Sequence, residues 1–159
     1  MGGVTFTAPR ALGPGDPIDG FECGIPLIDS WVAKRATGAR KAGTAVVYAT
    51  FCEGILAGFY SLSSQSIMRN NTSEWITRNA LEQIPVILLG MMGVDRRFQG
   101  CGLGHDLLLD AVHRAESVAA QIGARALVVD PVDDASRAFY AAHGSRQIPG
   151  TGRMYAKLI

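Results

Sequence analysis

The stretch VDRRFQGCGLGHDLLLDAV, residues 94–112, decides how this chain is read. It leaves an apolar run, PVILLGMMGV at residues 85–94, passes through a basic turn, and enters an amphipathic helix near Gly102. The first N–H groups of a helix have no partner inside it and carry the positive end of its dipole. Glycines at 100, 102 and 104 let the backbone bend and approach a ligand without interference from side chains. Arg96 and Arg97 add formal positive charge. The stretch therefore describes an anion site suited to phosphates, with a left-handed turn before a core helix as the plainer alternative.

The two commonest phosphate loops do not fit it. A nucleoside-triphosphate loop needs G-K-[ST] after the glycines, where this chain has Gly104-His105-Asp106. A dinucleotide loop needs G-x-G-x-x-G tight against its strand. Here Asp95 to Gln99 intervene, and His105 follows where the glycine spacing fails.

Working outward, PVILLGMMGV is apolar at nearly every position, as a strand covered on both faces would be. The helix after it carries Leu103, Leu107, Leu108, Ala111, Ala115, Val118 and Ile122 along one face and ends at Gly123. ARALVVDP reads as the next buried strand. Asp133 or Asp134 caps a helix running through Ser136, Phe139 and Tyr140 to Gly144, and RMYAKLI supplies a last strand. Upstream, VTFTA reads as a short strand, and Leu27, Ile28, Trp31, Val32 and Ala36 recur at helical spacing within one helix from Ile25 to Lys41. TAVVYATF and ILAGFYSLSS form an antiparallel hairpin about Cys52-Glu53-Gly54, and residues 64–84 carry a loop and a short helix. This order predicts an α/β fold, a mixed central sheet flanked by helices on both faces, in a single domain over 1–159.

Bulk properties narrow the classes. The charged fraction is low at 18% and the apolar fraction ordinary at 48%, which disfavours disorder. No apolar run approaches the roughly 20 residues that span a bilayer, and MGGVTFTAPRALG does not read as a signal peptide. Phe6 stands where a myristoylation motif wants Ser or Thr. Cys23, Cys52 and Cys101 have neither metal-ligand nor C-x-x-C spacing, so free thiols, no metal, no membrane and a cytoplasmic location are expected. The net charge of +1 hides an asymmetry: Lys34, Arg35, Arg40 and Lys41 fall in a stretch without acids between Asp29 and Glu53. Such a run is more often a solvated helix face than a binding patch. His105 and His113 fall on the outer face of the main helix, and His143 lies near the end of the Tyr140 helix, where a cation is favoured; none is assigned a role.

Arg97-Phe98-Gln99-Gly100-Cys101-Gly102 matches the R/Q-x-x-G-x-G/A signature of the GNAT acyltransferases. VILLGMMGVDRRFQGCGLG, FECGIPLIDSWV and DDASRAFYAAHG, taken together, resemble three blocks of the GNAT toxins of type II toxin–antitoxin systems. The resemblance implies an acetyl-CoA-dependent N-acetyltransferase that acetylates the α-amine of aminoacyl-tRNA and blocks translation. Met92, Gly93 and Val94 would then meet pantetheine and thioester through backbone groups. Arg97, Gln99, Gly100, Gly102, Leu103 and Gly104 would line the pyrophosphate, and Tyr140 would be the general acid. Lys34, Arg35, Arg40 and Lys41 would contact RNA phosphates, together with Arg69 and Arg78. A ribbon-helix-helix antitoxin and a homodimer are the partners implied. The chain departs from the family at Met91 and Cys101, where it often has basic residues, and at Ser145, where a Phe often follows the glycine.

One chemical point bears on the acceptor independently. The strand from Val86 to Val94 contains no Asp, Glu or His that could act as a base. Deprotonating a lysine amine of pKa about 10.4 near pH 7 costs about 4 kcal/mol or more, an α-amine of about 7.7–8.0 only about 1 kcal/mol. A site lacking a base suits the α-amine. The alternatives are an acetyltransferase acting on a small-molecule amine or a peptide or protein N-terminus, and a catalytically idle acetyl-CoA-binding module.

Overall fold

The computed structural model describes residues 4–68 and 82–158. Its strands are β1 (Arg10–Ala11), β2 (Val46–Cys52), β3 (Ile55–Met68), β4 (Gln83–Val94), β5 (Ala126–Val129), β6 (Arg146–Gln147) and β7 (Met154–Lys157). Its α-helices among the described residues are α1 (Pro26–Trp31), α2 (Ala39–Ala42), α3 (Leu103–Ile122) and α4 (Asp134–Ala142). The strands form one seven-stranded sheet in the order β1-β2-β3-β4-β5-β7-β6. It is mixed, as expected: β4 and β5 are parallel, while β1–β2, β2–β3, β5–β7 and β6–β7 are antiparallel.

The chain divides into two compact units, Met1–Leu62 with Met91–Ala111, and Ser63–Gly90 with Val112–Ile159. In the first, the β2–β3 hairpin turns at Glu53 (φ 49°) and Gly54 (φ 77°), the two left-handed positions that suit the right-handed twist of a tight hairpin. Alternation along β3 then sends neighbouring residues to opposite faces. Phe59 is buried with Ile28, Val32 and Ala36, and Trp31 stacks on its ring at 6.1 Å. Its neighbour Gly58 faces α3. A Cβ there would lie 2.8 Å from Leu107 Cδ1 and 3.2 Å from the Gly93 carbonyl oxygen. Helices thus cover both faces of β3, as the sequence predicts. The leucine can swing away, but the backbone carbonyl cannot. Gly58→Val is therefore expected to cost about 1–3 kcal/mol, read as a lower urea midpoint with an unchanged m-value.

In the second unit β5 lies between β4 and β7. Ile87, Leu88 and Leu89 pair with Leu127, Val128 and Val129, and Ala126 to Val129 pair with Lys157 back to Met154. Ile84, Val86, Ala126, Val128, Ile148 and Tyr155 form a buried cluster. Helix α4 starts in a reciprocal cap: Asp133 accepts from the Ser136 N–H at 2.7 Å, and the Ser136 hydroxyl accepts from the Asp133 N–H at 3.1 Å. The chain leaves α4 through Gly144 at φ 95°.

Several expectations need correction. VTFTA is not a strand. Among the described residues, Thr7 alone ties it to β2: its N–H donates to the Phe51 carbonyl at 2.9 Å, its carbonyl accepts from the Thr50 hydroxyl at 2.6 Å, and its hydroxyl accepts from the Phe51 N–H at 3.0 Å. The helix from Ile25 to Lys41 is three pieces: α1, a π-helical turn over Val32–Ala36, and α2 after Gly38. Leu27 and Ile122, assigned to apolar faces, are 60% and 75% exposed. β4 is well buried only in its first half, and Gly90 to Val94 are half-buried. A two-residue strand, β6, was not foreseen. The short helix expected within 64–84 falls largely outside the described residues.

Candidate functional site

The anion site is built where β4 runs out. β5 stops at Val129, the partner of Leu89, while β4 continues for five residues to Val94. Near the point where that pairing stops, the Met91 N–H donates to the Ser61 hydroxyl at 2.9 Å. A short 3-10 turn, Arg96–Phe98, leads to Gly100 (φ 81°) and Gly102 (φ 89°), and α3 begins at Leu103. Both positive φ values suit glycine, and a Cβ on either residue would meet nothing within 4 Å, so the backbone is open at these points. Among the described residues, nothing accepts a hydrogen bond from the N–H groups of Gly100, Cys101, Gly102, Leu103 or Gly104. Five donors at the positive end of a 20-residue helix form a cradle for an anion.

Asp95 holds this turn in place. Its carboxylate is 2% exposed and accepts four hydrogen bonds: from the Arg97 N–H (3.0 Å), Arg97 Nε (2.8 Å), Arg97 Nη2 (3.2 Å) and the Glu22 N–H (3.0 Å). Burial pushes its pKa up, but the bonds from Arg97 and Glu22 outweigh that and hold it below the ordinary carboxylate range. Gln99 completes the clamp, donating to the carbonyls of Cys23 (2.9 Å) and Val94 (2.8 Å). The Arg96 N–H donates to the Glu22 carbonyl at 2.8 Å. The Gly93 α-carbon packs against Cys23 and Ile28 so closely that a Cβ would lie 3.2–3.4 Å from them.

These contacts sort the expected residues. Met92, Gly93 and Val94 end β4, Arg97, Gln99, Gly100 and Gly102 lie in the turn after it, and Leu103 and Gly104 open α3. The side chains of Arg97 and Gln99, however, bind the protein's own Asp95 and backbone carbonyls. Asp95 is the residue that sequence reasoning missed. Its signal was an Asp two residues before Arg97, the spacing at which an Asp side chain accepts a nearby backbone N–H. Cys101 is exposed, and its thiol donates to the Phe98 carbonyl at 3.0 Å.

Tyr140 lies in the second unit, on α4, and is 9% exposed. Burial alone pushes its phenol up to about 12, so it stays protonated across the physiological range. Its ring packs edge-on against Phe139 at 5.5 Å, and its hydroxyl makes no hydrogen bond among the described residues. Among the described residues it is a protonated donor without a partner. Lys34 and Arg35 on the π-helical turn, and Arg40 and Lys41 on α2, are exposed. Arg69 and Arg78 lie outside the described residues. His105, His113 and His143 are exposed, with His143 Nδ1 lying 2.7 Å from the Phe139 carbonyl. No group of His, Cys, Asp and Glu among the described residues could hold a metal ion, and no helix among them is long and apolar enough to cross a membrane.

A mixed sheet and a glycine turn with N–H groups open at a helix start are features that an acyl-transfer enzyme uses. The chain belongs to the acetyltransferase (GNAT) family, whose model matches residues 30–144. It is 36% identical over 154 residues to the tRNA-acetylating toxin of Mycobacterium tuberculosis, covering 97% of this chain and 92% of that protein. It is 33% identical to the probable toxin TacT of Sinorhizobium fredii, covering 91% and 88%. Among solved structures, a tyrosine-to-phenylalanine mutant of KacT superposes with a TM-score of 0.88 at 19% identity, covering 96% of this chain and 95% of that one. AtaT complexed with acetyl-methionyl-tRNAfMet gives 0.86 at 19%, with the same coverage. These confirm the fold.

Proposed function

We propose that this chain, a single acetyltransferase domain over 1–159, transfers acetyl from acetyl-CoA to the α-amine of aminoacyl-tRNA and so blocks translation. The observation that carries the reading is the row of free N–H groups from Gly100 to Gly104, in a GNAT chain 36% identical to a tRNA-acetylating toxin.

The residues present fit the donor. The free N–H groups bind pyrophosphate oxygens, and the half-buried backbone of Met92, Gly93 and Val94 lines the path of the pantetheine arm. The donor supplies an activated thioester. Tyr140 donates a hydrogen bond where charge develops as the amine attacks, and gives its proton as the carbon–sulfur bond breaks. The amine proton then restores the phenol directly or through water. Arg97 is already paired with Asp95, so the grip on phosphate comes chiefly from backbone dipoles.

Incubating the protein with radiolabelled acetyl-CoA and charged tRNA tests this. Label should appear on the amino acid esterified to tRNA. Label on a small amine or a peptide N-terminus, with tRNA untouched, overturns the acceptor.

Lys34, Arg35, Arg40 and Lys41 are the RNA contacts in this reading. Replacing all four by alanine should weaken tRNA binding and reduce the magnitude of its log–log salt slope by about four, while donor affinity holds. A ribbon-helix-helix antitoxin, a homodimer and a cytoplasmic location complete the proposal. An antitoxin partner is supported by AtaT, solved with the C-terminus of the antitoxin AtaR, and by the structure of a KacTA–DNA complex.

A further inference from the structure

We propose that the cavity lined by Gly144, Arg146, Tyr155 and Lys157 is a second anion site, separate in sequence from the glycine turn, and that it takes a phosphate ester.

The cavity has a volume of about 410 Å³, within the range of small-molecule sites and larger than a lone ion requires. Its lining follows from strand register. Arg146 is the cross-strand partner of Tyr155 in the β6–β7 pair, so the two side chains share a face of the sheet. Lys157 stands two residues beyond Tyr155 on β7 and shares that face by alternation. The fold thus brings two cations to diagonal positions, about 7–8 Å apart at the backbone and within reach of one another at their tips. An anion seated between them would meet both charges.

The surrounding bonds leave Arg146 available. Arg153, on the same hairpin, is bound to Asp130 at 2.7 Å and to Gln65 at 2.9 Å, and Arg137 donates to the Gly152 carbonyl at 2.8 Å. Arg146 makes no hydrogen bond or ion pair among the described residues. The carboxyl end of α4 could have claimed it. But the Tyr140 carbonyl accepts from the N–H groups of His143 and Ser145, and the Ala141 carbonyl from that of Gly144. Among the described residues, none that lines the cavity is an acid. Gly144 also lines it, and a Cβ there would meet nothing within 4 Å. A planar guanidinium, an ammonium and a phenol together recognise a phosphate's several oxygens better than a single carboxylate.

The ester could belong to an RNA backbone or to a free nucleotide, and the test separates them. With the glycine turn saturated by CoA, affinities for fluorescein-labelled tRNA, AMP and adenosine are measured on the wild type, Arg146→Ala/Lys157→Ala and Arg146→Lys. The double variant should bind its phosphate-bearing probe about tenfold more weakly, while Arg146→Lys stays within about threefold and acetyl-CoA affinity is unchanged. A loss confined to tRNA identifies an RNA phosphate, with its salt slope falling in magnitude by about two. A loss for AMP but not adenosine identifies a free nucleotide. The proposal is overturned if neither probe binds the wild type, or if the double variant binds both as the wild type does.

Discussion

Tyr140→Phe is expected to lower kcat by about 10²–10⁴ while leaving KM for acetyl-CoA within a few-fold, measured by release of free CoA thiol. The substitution removes one oxygen and keeps the ring, so the edge-on packing against Phe139 survives and the fold is not the variable. What is lost is a donor whose phenol burial holds at about 12. A thiol of ordinary pKa, about 8.5, is a stronger acid than that, so transferring the proton completely from the phenol is uphill by roughly 5 kcal/mol. In the proposed reaction the phenol therefore contributes first as a hydrogen bond to developing charge. Its proton moves as the amine surrenders its own. The pH profile carries the same signature. Activity should rise with the acceptor amine to about pH 8. It should then stay level rather than fall at the ordinary tyrosine value near 10, because the buried phenol ionises only near 12.

Asp95→Ala should produce the second large effect, on both stability and donor affinity. The alanine leaves the N–H groups of Glu22 and Arg97 without their acceptor and releases the Arg97 guanidinium. Each abandoned, partly buried donor costs about 1–3 kcal/mol, so a loss of about 2–5 kcal/mol is expected from urea unfolding. KM for acetyl-CoA should rise at least about tenfold, because the turn loses its anchor to Glu22. The pH dependence has a definite sign. The folded carboxyl titrates below its unfolded value of about 3.9, so its contribution is complete above that pH and fades as pH falls through the folded pKa. Asp95→Ala should therefore flatten the acid limb of the stability curve.

The sheet and main helix were legible because their signals are local. PVILLGMMGV is a strand from its own composition, and the leucines and alanines of α3 mark a face by spacing alone. The Glu53-Gly54 turn announces its hairpin. What was not legible depends on partners far along the chain. Nothing near Leu27 or Ile122 says that no element covers them. Nothing in Ile25–Lys41 shows that a π-turn replaces regular helix between Val32 and Ala36. For the candidate site, Gly100 and Gly102 announce a positive-φ turn, but nothing local says that the arginine and glutamine of the motif are claimed by the protein itself. Asp95 and the Cys23 carbonyl claim those side chains across more than 70 residues of chain in one case, and only the folded structure brings Cys23 within 2.9 Å of Gln99.

The free N–H groups from Gly100 to Gly104 also make the turn its own reporter. Without internal hydrogen bonds, these amides should exchange with deuterated water near the rate of an unstructured chain, while those deeper in α3 are protected. A pyrophosphate bound as proposed would occupy them and slow their exchange. Donor occupancy can then be followed peptide by peptide with the reaction silent, so the Tyr140→Phe protein becomes the cleanest sample in which to watch the cofactor arrive.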